Sequence, residues 1–166
     1  MAIADYDIGL ATRDDVTGIL DLQERNLRGV GGALSVRFSR DWFEAAISDM
    51  PIVVTRREGQ IVGYVVSTPL TAQAHDLIIQ AMLRAHPGSS TSYNYGPICV
   101  AENHRGRGLA VAMFEALKAR LPGREGFTFI RRDNTASLKV HAKMGMNEVA
   151  EFTHAGVAYV VVAYVG

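Results

Sequence analysis

The sequence predicts a mixed α/β (α+β) fold, and three observations carry that prediction. Its apolar residues switch repeatedly between helical and strand spacing, in the order β-α-α-β-β-(α)-β-α-β-α-β-β. Its 166 residues, 48% of them hydrophobic, suffice for one domain, 1–166, with a real core. The stretch Val100 to Gly123 sets Arg-Gly-Arg-Gly at the mouth of a helix, although each glycine there costs roughly 1 kcal/mol against alanine. Something at that point needs a close approach to the backbone.

Ile8 and Leu10 mark a first strand, and "TRDD" follows as a capping box, Thr12 with Asp15. Val16, Ile19, Leu20, Gln23 and Leu27 then form one helical face, broken by the three glycines of "RGVGGAL". Ser39 caps a second helix carrying Trp42, Phe43, Ala46 and Ile47 on one side. "PIVVTRR" and "QIVGYVVS" are strands joined by a Glu58-Gly59 turn. Pro69 to Ser92 is long for a simple connection. It places Ala74, Leu77, Ile78, Ala81, Met82 and Ala85 on one stripe of a short helix closed by Pro87-Gly88. "YNYGPICV" is a strand that Gly96-Pro97 should distort, because proline lacks a donor and glycine marks bulges. The Arg-Gly-Arg-Gly helix then turns Leu109, Met113, Ala116 and Leu117 to the core and ends at Pro122-Gly123. "GFTFI" is a strand, and "DNTASLKVHAKMG" is a helix capped by Asp133 or Asn134 and stopped by Gly145. "NEVAEF" and "GVAYVVVAYV" close the chain as strands.

Charge and composition narrow the function. Seventeen basic residues balance seventeen acidic ones, so no general basic field exists to hold nucleic acid. Cys99 is the one cysteine, which rules out an internal disulfide and suits a reducing cytoplasm. Asp5, Asp7, Arg13, Asp14 and Asp15 interrupt any apolar leader, and Val157 to Val165 is too short to span a bilayer as a helix. A cytoplasmic protein without membrane contact is expected. The five histidines lack HExxH or other ligand spacing, so no metal is expected.

A helix N-terminus carries unpaired N–H groups and partial positive charge, which makes it an anion site. Gly106 and Gly108 remove Cβ atoms where a diphosphate would touch the backbone. A turn that merely joins strand to helix needs the same glycines, so the motif is tested by its neighbours. The P-loop requires Gly-Lys-Ser/Thr, and Leu109-Ala110 follows Gly108 here. The dinucleotide fingerprint requires a third glycine, and position 111 is valine. Arg/Gln-x-x-Gly-x-Gly/Ala does fit, as Arg105-Gly106-Arg107-Gly108-Leu109-Ala110.

That loop, directly after "CVAENH", resembles the coenzyme A pyrophosphate loop of the GNAT superfamily of acetyl-CoA-dependent N-acetyltransferases. "NTASLKVHAKMGM" is similar to the family's second signature, Asn-x-x-Ser/Ala-x-x-x-Tyr-x-x-x-Gly-Phe, and the element order matches along nearly the whole chain. The resemblance implies a GNAT fold: a mixed, mostly antiparallel twisted sheet, helices on both faces, and a splayed strand pair at the coenzyme A site. It implies that backbone amides of Arg105, Gly106, Arg107, Gly108, Leu109 and Ala110 hold the pyrophosphate. It further implies that Ile98, Cys99 and Val100 line pantetheine, an N–H near Val100 polarising the acetyl carbonyl. Asn134 and Ser137 fall at the pantetheine arm. Asn134 is equally a helix cap.

His141 stands where the family carries the tyrosine that protonates the departing thiolate. An imidazolium can take that role as general acid, and a packing role is the plain alternative. Met146 replaces the family phenylalanine, Lys143 reads as a solvated helix lysine, and His104 reads as packing. Glu102, Tyr93, Tyr95, Asp76 and His75 lie near enough in sequence to serve as general base, and spacing singles out none. The implied reaction is direct acetyl transfer from acetyl-CoA to a primary amine, small molecule or peptide, in a ternary complex. Leu27 to Arg40 and Pro69 to Ser92 would wall the acceptor site, the second segment otherwise serving a homodimer interface. A non-catalytic acyl-CoA binder or sensor on the same fold is the rival reading.

Overall fold

The computed structural model describes residues 2–30, 32 and 34–166. The strands are β1 (Asp7–Leu10), β2 (Ile52–Arg57), β3 (Gln60–Pro69), β4 (Tyr93–Val100), β5 (Glu125–Arg131), β6 (Asn147–His154) and β7 (Val157–Val165). The helices are α1 (Val16–Asn26), α2 (Arg40–Asp49), α3 (Leu77–Ala85), α4 (Leu109–Arg120) and α5 (Thr135–Lys143). Hydrogen bonding orders the strands β1-β2-β3-β4-β5-β7-β6 in an open, mostly antiparallel sheet, in which β4 and β5 pair in parallel. The mixed α/β class and element order are those the sequence predicts. The chain forms two compact units, one of residues up to Thr68 with Gly96–Arg120, the other of Pro69–Tyr95 with Leu121–Gly166.

In the first unit, β2 and β3 close through Glu58 and Gly59, both at positive φ (50° and 78°). Two such residues in a two-residue connection suit the right-handed twist of a hairpin. Asp15 enters α1 as a charge anchor. It accepts the Thr12 N–H (2.7 Å) and two guanidinium N–H groups of Arg56 (2.9 and 2.6 Å). Burial alone would raise its pKa, and the Arg56 and Thr12 bonds outweigh that to leave it lowered.

Val16, Ile19, Leu22, Gln23 and Asn26 are buried along α1. This departs from the expected stripe, because Asn26 ends the helix and Leu27 lies beyond it in extended backbone. Gly31 and Ala33, part of the glycine-rich break, fall outside the described residues. Ser39 caps α2 by accepting the Trp42 N–H (3.1 Å), and Phe43 from that helix reaches Tyr64 edge to face. Burying each such apolar side chain contributes about 1.5–3 kcal/mol. Helix α4 buries Leu109, Met113, Phe114 and Leu117, and a Cβ at Gly63 would come within 3.0 Å of Met113 Cε. That glycine therefore lets α4 approach β3.

In the second unit, α3 begins only at Leu77, where Asp76 caps it by accepting the Ile78 N–H (3.1 Å). The expected stripe needs correction here. Ala81 and Met82 are buried and Ile78 packs beside them as the stripe expects, but Leu77 is 66% exposed, and Ile79, outside the stripe, joins Met82 against Phe127, Val161 and Ala163. Burial along α3 begins at Ile79, within its first turn. The helix thus finds its apolar partner within its own unit. Helix α5 closes with bonds from Gly145 N to Ala142 O (3.0 Å) and Met146 N to His141 O (3.1 Å). Gly145 sits at φ 85°, the left-handed conformation this ending requires.

Candidate active site

The first unit holds the glycine loop. Strand β4 runs out of its pairing with β5 after Tyr93 and Asn94, and Gly96 follows at φ 92°. Ile98 and Val100 are half-buried and Cys99 is buried. The chain then makes a 3-10 turn, Glu102–His104, where the sequence reads as strand end, and reaches Arg105. Gly106 and Gly108 both have positive φ, 72° and 78°. A Cβ at Gly106 would meet nothing within 4 Å, and one at Gly108 only Ile3 Cδ1 at 3.5 Å. Packing does not demand these glycines. Backbone conformation demands them, and their surroundings within the chain are open.

Helix α4 starts immediately after, its first recorded turn bond running from Ala112 N to Gly108 O (3.0 Å). The N–H groups of the first turn lie beyond the reach of intrahelical acceptors. Arg105, Gly106, Arg107 and Gly108 bring no side-chain oxygen to cap them. The result is an open, positively polarised backbone end flanked by two cations.

The arginines are not equivalent. Arg105 donates through Nε to Val100 O (3.0 Å) and through Nη2 to Asn26 Oδ1 (2.7 Å). Arg107 donates weakly to Asn103 O (3.3 Å), and its buried Nε has no hydrogen-bond partner. His104 Nδ1 pairs with the Tyr6 hydroxyl (3.0 Å), consistent with packing. Burial pushes the Cys99 thiol up to about 11, with Arg105 and Arg25 pulling the other way. Elsewhere in this unit a cleft of about 480 Å³ is lined by Leu20, Glu24, Arg37, Phe38, Ser39 and Arg40.

The second unit holds the other signature. Asn134 caps α5, its Oδ1 accepting the Ser137 N–H (3.2 Å). His141 is 5% exposed and its Nδ1 lies 2.7 Å from Ser137 O. A carbonyl can only accept, so Nδ1 carries the hydrogen and Nε2 is bare in the neutral ring. Burial lowers the His141 pKa, and the Ser137 carbonyl only partly opposes that. The imidazole stands edge to face against Tyr95 at 5.7 Å. Tyr95 in turn packs against Tyr164, whose hydroxyl bonds that of Tyr93. Burial raises the pKa of both Tyr93 and Tyr95, and Asp76 is engaged as the α3 cap. Glu102 and His75 are exposed, as is Lys143; Met146 is buried.

Sequence reasoning missed Asn26. Its partner Arg105 lies 79 positions away, a separation at which no local pattern signals a bond. Among the described residues no group of three or more His, Cys, Asp or Glu could hold a metal ion. No helix among them is long and apolar enough to cross a membrane.

Comparison with known proteins places the chain in a family and a fold. A family model described as "Acetyltransferase (GNAT) family" matches residues 17–146. An N-acetyltransferase from Staphylococcus aureus Mu50 superposes with a TM-score of 0.72 at 19% identity, covering 96% of this chain and 97% of its own. YncA of Salmonella typhimurium, solved with its cofactor acetyl-CoA, gives 0.71 at 16% identity over 96% and 93%. A ribosomal-protein-alanine N-acetyltransferase from Brucella melitensis gives 0.65 at 20% identity over 96% and 99%. At these identities the likeness carries the fold. No curated protein matches the sequence.

Proposed function

The chain belongs to the acetyltransferase (GNAT) family, and on that premise we propose that it moves an acetyl group from acetyl-CoA to a primary amine. One observation carries the reading: two positive-φ glycines in open space lead into α4, and the four residues before it bring no side-chain oxygen. Such an end offers several N–H donors and a dipole to a diphosphate. Arg105 to Ala110 would hold that group through the backbone, and Ile98, Cys99 and Val100 would line pantetheine. The family motif assigns Asn134 and Ser137 to the same arm.

The amine nitrogen attacks the thioester carbon, the C–S bond breaks, the amine loses a proton and the thiolate gains one. The Val100 N–H, aimed at the carbonyl oxygen as charge develops there, would contribute about 3 kcal/mol. His141 is our proposed proton donor. It can donate only from Nε2 of the imidazolium, a form that its burial restricts to acidic pH. Cys99, held protonated, supports direct transfer over an acyl-cysteine route. As a lone thiol it also supports a cytoplasmic setting.

The acceptor is a small molecule or a peptide amine. The cleft between Leu20 and Phe38 carries both signs of charge, with Arg37 Nε 2.6 Å from Glu24 Oε1. Arg37, Phe38, Ser39 and Arg40 of its lining belong to the segment we assign to the acceptor wall. A panel of amines, each incubated with acetyl-CoA, tests the proposal through release of free coenzyme A. Amine-dependent release is the expected result. Tight acetyl-CoA binding with no turnover on any amine would favour the sensor reading, which the buried histidine at the tyrosine position supports. Sedimentation of the protein with and without acetyl-CoA tests for a homodimer.

A further inference from the structure

Arg105 opens the glycine loop, and its guanidinium is already engaged. Nε donates to Val100 O (3.0 Å) and Nη2 to Asn26 Oδ1 (2.7 Å). The same Val100–Ala101 peptide is held at its other end, where Ala101 N donates to Val62 O (2.8 Å). Asn26 is only 7% exposed and is fixed in its turn. Its Nδ2 donates to Leu22 O (2.8 Å), and its own carbonyl accepts the Leu34 N–H (3.0 Å). The carboxamide cannot be reversed, because Nδ2 must donate to Leu22 while Oδ1 accepts from Arg105. One residue therefore joins three things: the end of α1, Leu34, and the entry to the glycine loop.

We propose that the Arg105 side chain is a bracket rather than a diphosphate ligand, and that Asn26 and Arg105 are positioning residues for the acetyl-CoA loop. The inference rests on the acetyl-CoA reading above. The bracket fixes the last peptide of β4 and so sets where the following backbone N–H groups point. Through Asn26 it ties that geometry to the end of α1 and to Leu34. It works by a planar fork that bonds in two directions at once. Lysine keeps the charge and loses the fork.

Calorimetric titration with acetyl-CoA tests this on the wild type, Arg105→Ala, Arg105→Lys, Asn26→Ala and the double variant Asn26→Ala/Arg105→Ala. The expected result is that Arg105→Lys loses as much affinity as Arg105→Ala, at least about fivefold. Asn26→Ala also loses affinity, and the double variant is no weaker than Arg105→Ala, because that variant already removes the bond the two residues share. Arg105→Lys at wild-type affinity would overturn the bracket, since charge alone would then suffice. Additive losses in the double variant would overturn it equally. Arg105 is exposed, so its variants decide the matter even where Asn26→Ala, measured by thermal denaturation, fails to fold. A wild-type protein that binds no acetyl-CoA overturns the acetyl-CoA reading itself, an outcome separate from those that test the bracket.

Discussion

Helices α4 and α5 each follow a strand, α4 after a longer connection than α5, and the residues entering them offer their first backbone N–H groups opposite things. Asn134 turns its carboxamide onto the Ser137 N–H, so α5 satisfies its own start. The residues entering α4 are Arg-Gly-Arg-Gly, which carry only donors or nothing, and the proposed function gives that start to a diphosphate. The ends of α5 are both complete, with Gly145 and Met146 closing the last carbonyls. Its polar chemistry is instead buried inside the helix, at His141. A helix start becomes an anion site through the residues withheld from it as much as through those supplied.

The largest expected effect probes that buried chemistry. With a confirmed amine, the single-turnover rate of the wild type should exceed that of His141→Phe by up to about 10²-fold at the acid end. The ratio should shrink toward one as pH rises through the histidine pKa, which burial holds below the usual imidazole range. A ratio near one at every pH would leave α5 a purely structural helix. The same titration acts on stability with a fixed sign. The folded pKa lies below the unfolded one, so His141 contributes stability that is present above the unfolded value and lost as pH falls through the folded one. Denaturation midpoints against pH should show that loss in the wild type and not in His141→Phe.

A smaller effect is expected at the open helix. Gly108→Val puts a branched side chain at φ 78° beside the proposed pyrophosphate path. Affinity for acetyl-CoA should fall at least tenfold, about 1.4 kcal/mol, in a protein that still folds. Unchanged affinity in a folded variant would erase the contrast between the two helices. The smallest effect belongs to the cap. Asn134→Ala should cost about 1 kcal/mol of stability by thermal denaturation, with acetyl-CoA affinity falling by less than about threefold. A larger affinity loss than Gly108→Val would mean that Asn134 serves the ligand before the helix.

These contrasts were partly legible beforehand. The Ser39 and Asn134 caps, the Glu58-Gly59 hairpin and the Gly145 stop each depend on one or two neighbouring residues, and a linear reading finds such features. The sequence pattern misplaces the start of α3, because apolar spacing continues upstream of the Asp76 cap, through Ala74, while the helix does not. The burial of Asn26 in place of Leu27 escaped notice for a different reason. It is set by Leu22 O, Leu34 N and Arg105, partners that only the folded chain gathers. Likewise strand alternation turns Tyr93, Tyr95 and Tyr164 inward, but gives no hint that the hydroxyls of Tyr93 and Tyr164 bond each other.

Buried Cys99 has a practical consequence at the bench. Disulfide reagents that colour on reaction with free thiols consume thiolate, and a group with a pKa of about 11 presents only about one thiolate in a thousand at pH 8. The folded protein should therefore contribute almost no signal of its own when coenzyme A release is followed continuously. A slow colour change in protein without amine would instead report opening of the strand that carries Cys99. The lone cysteine thus doubles as a built-in gauge of how tightly β4 stays closed.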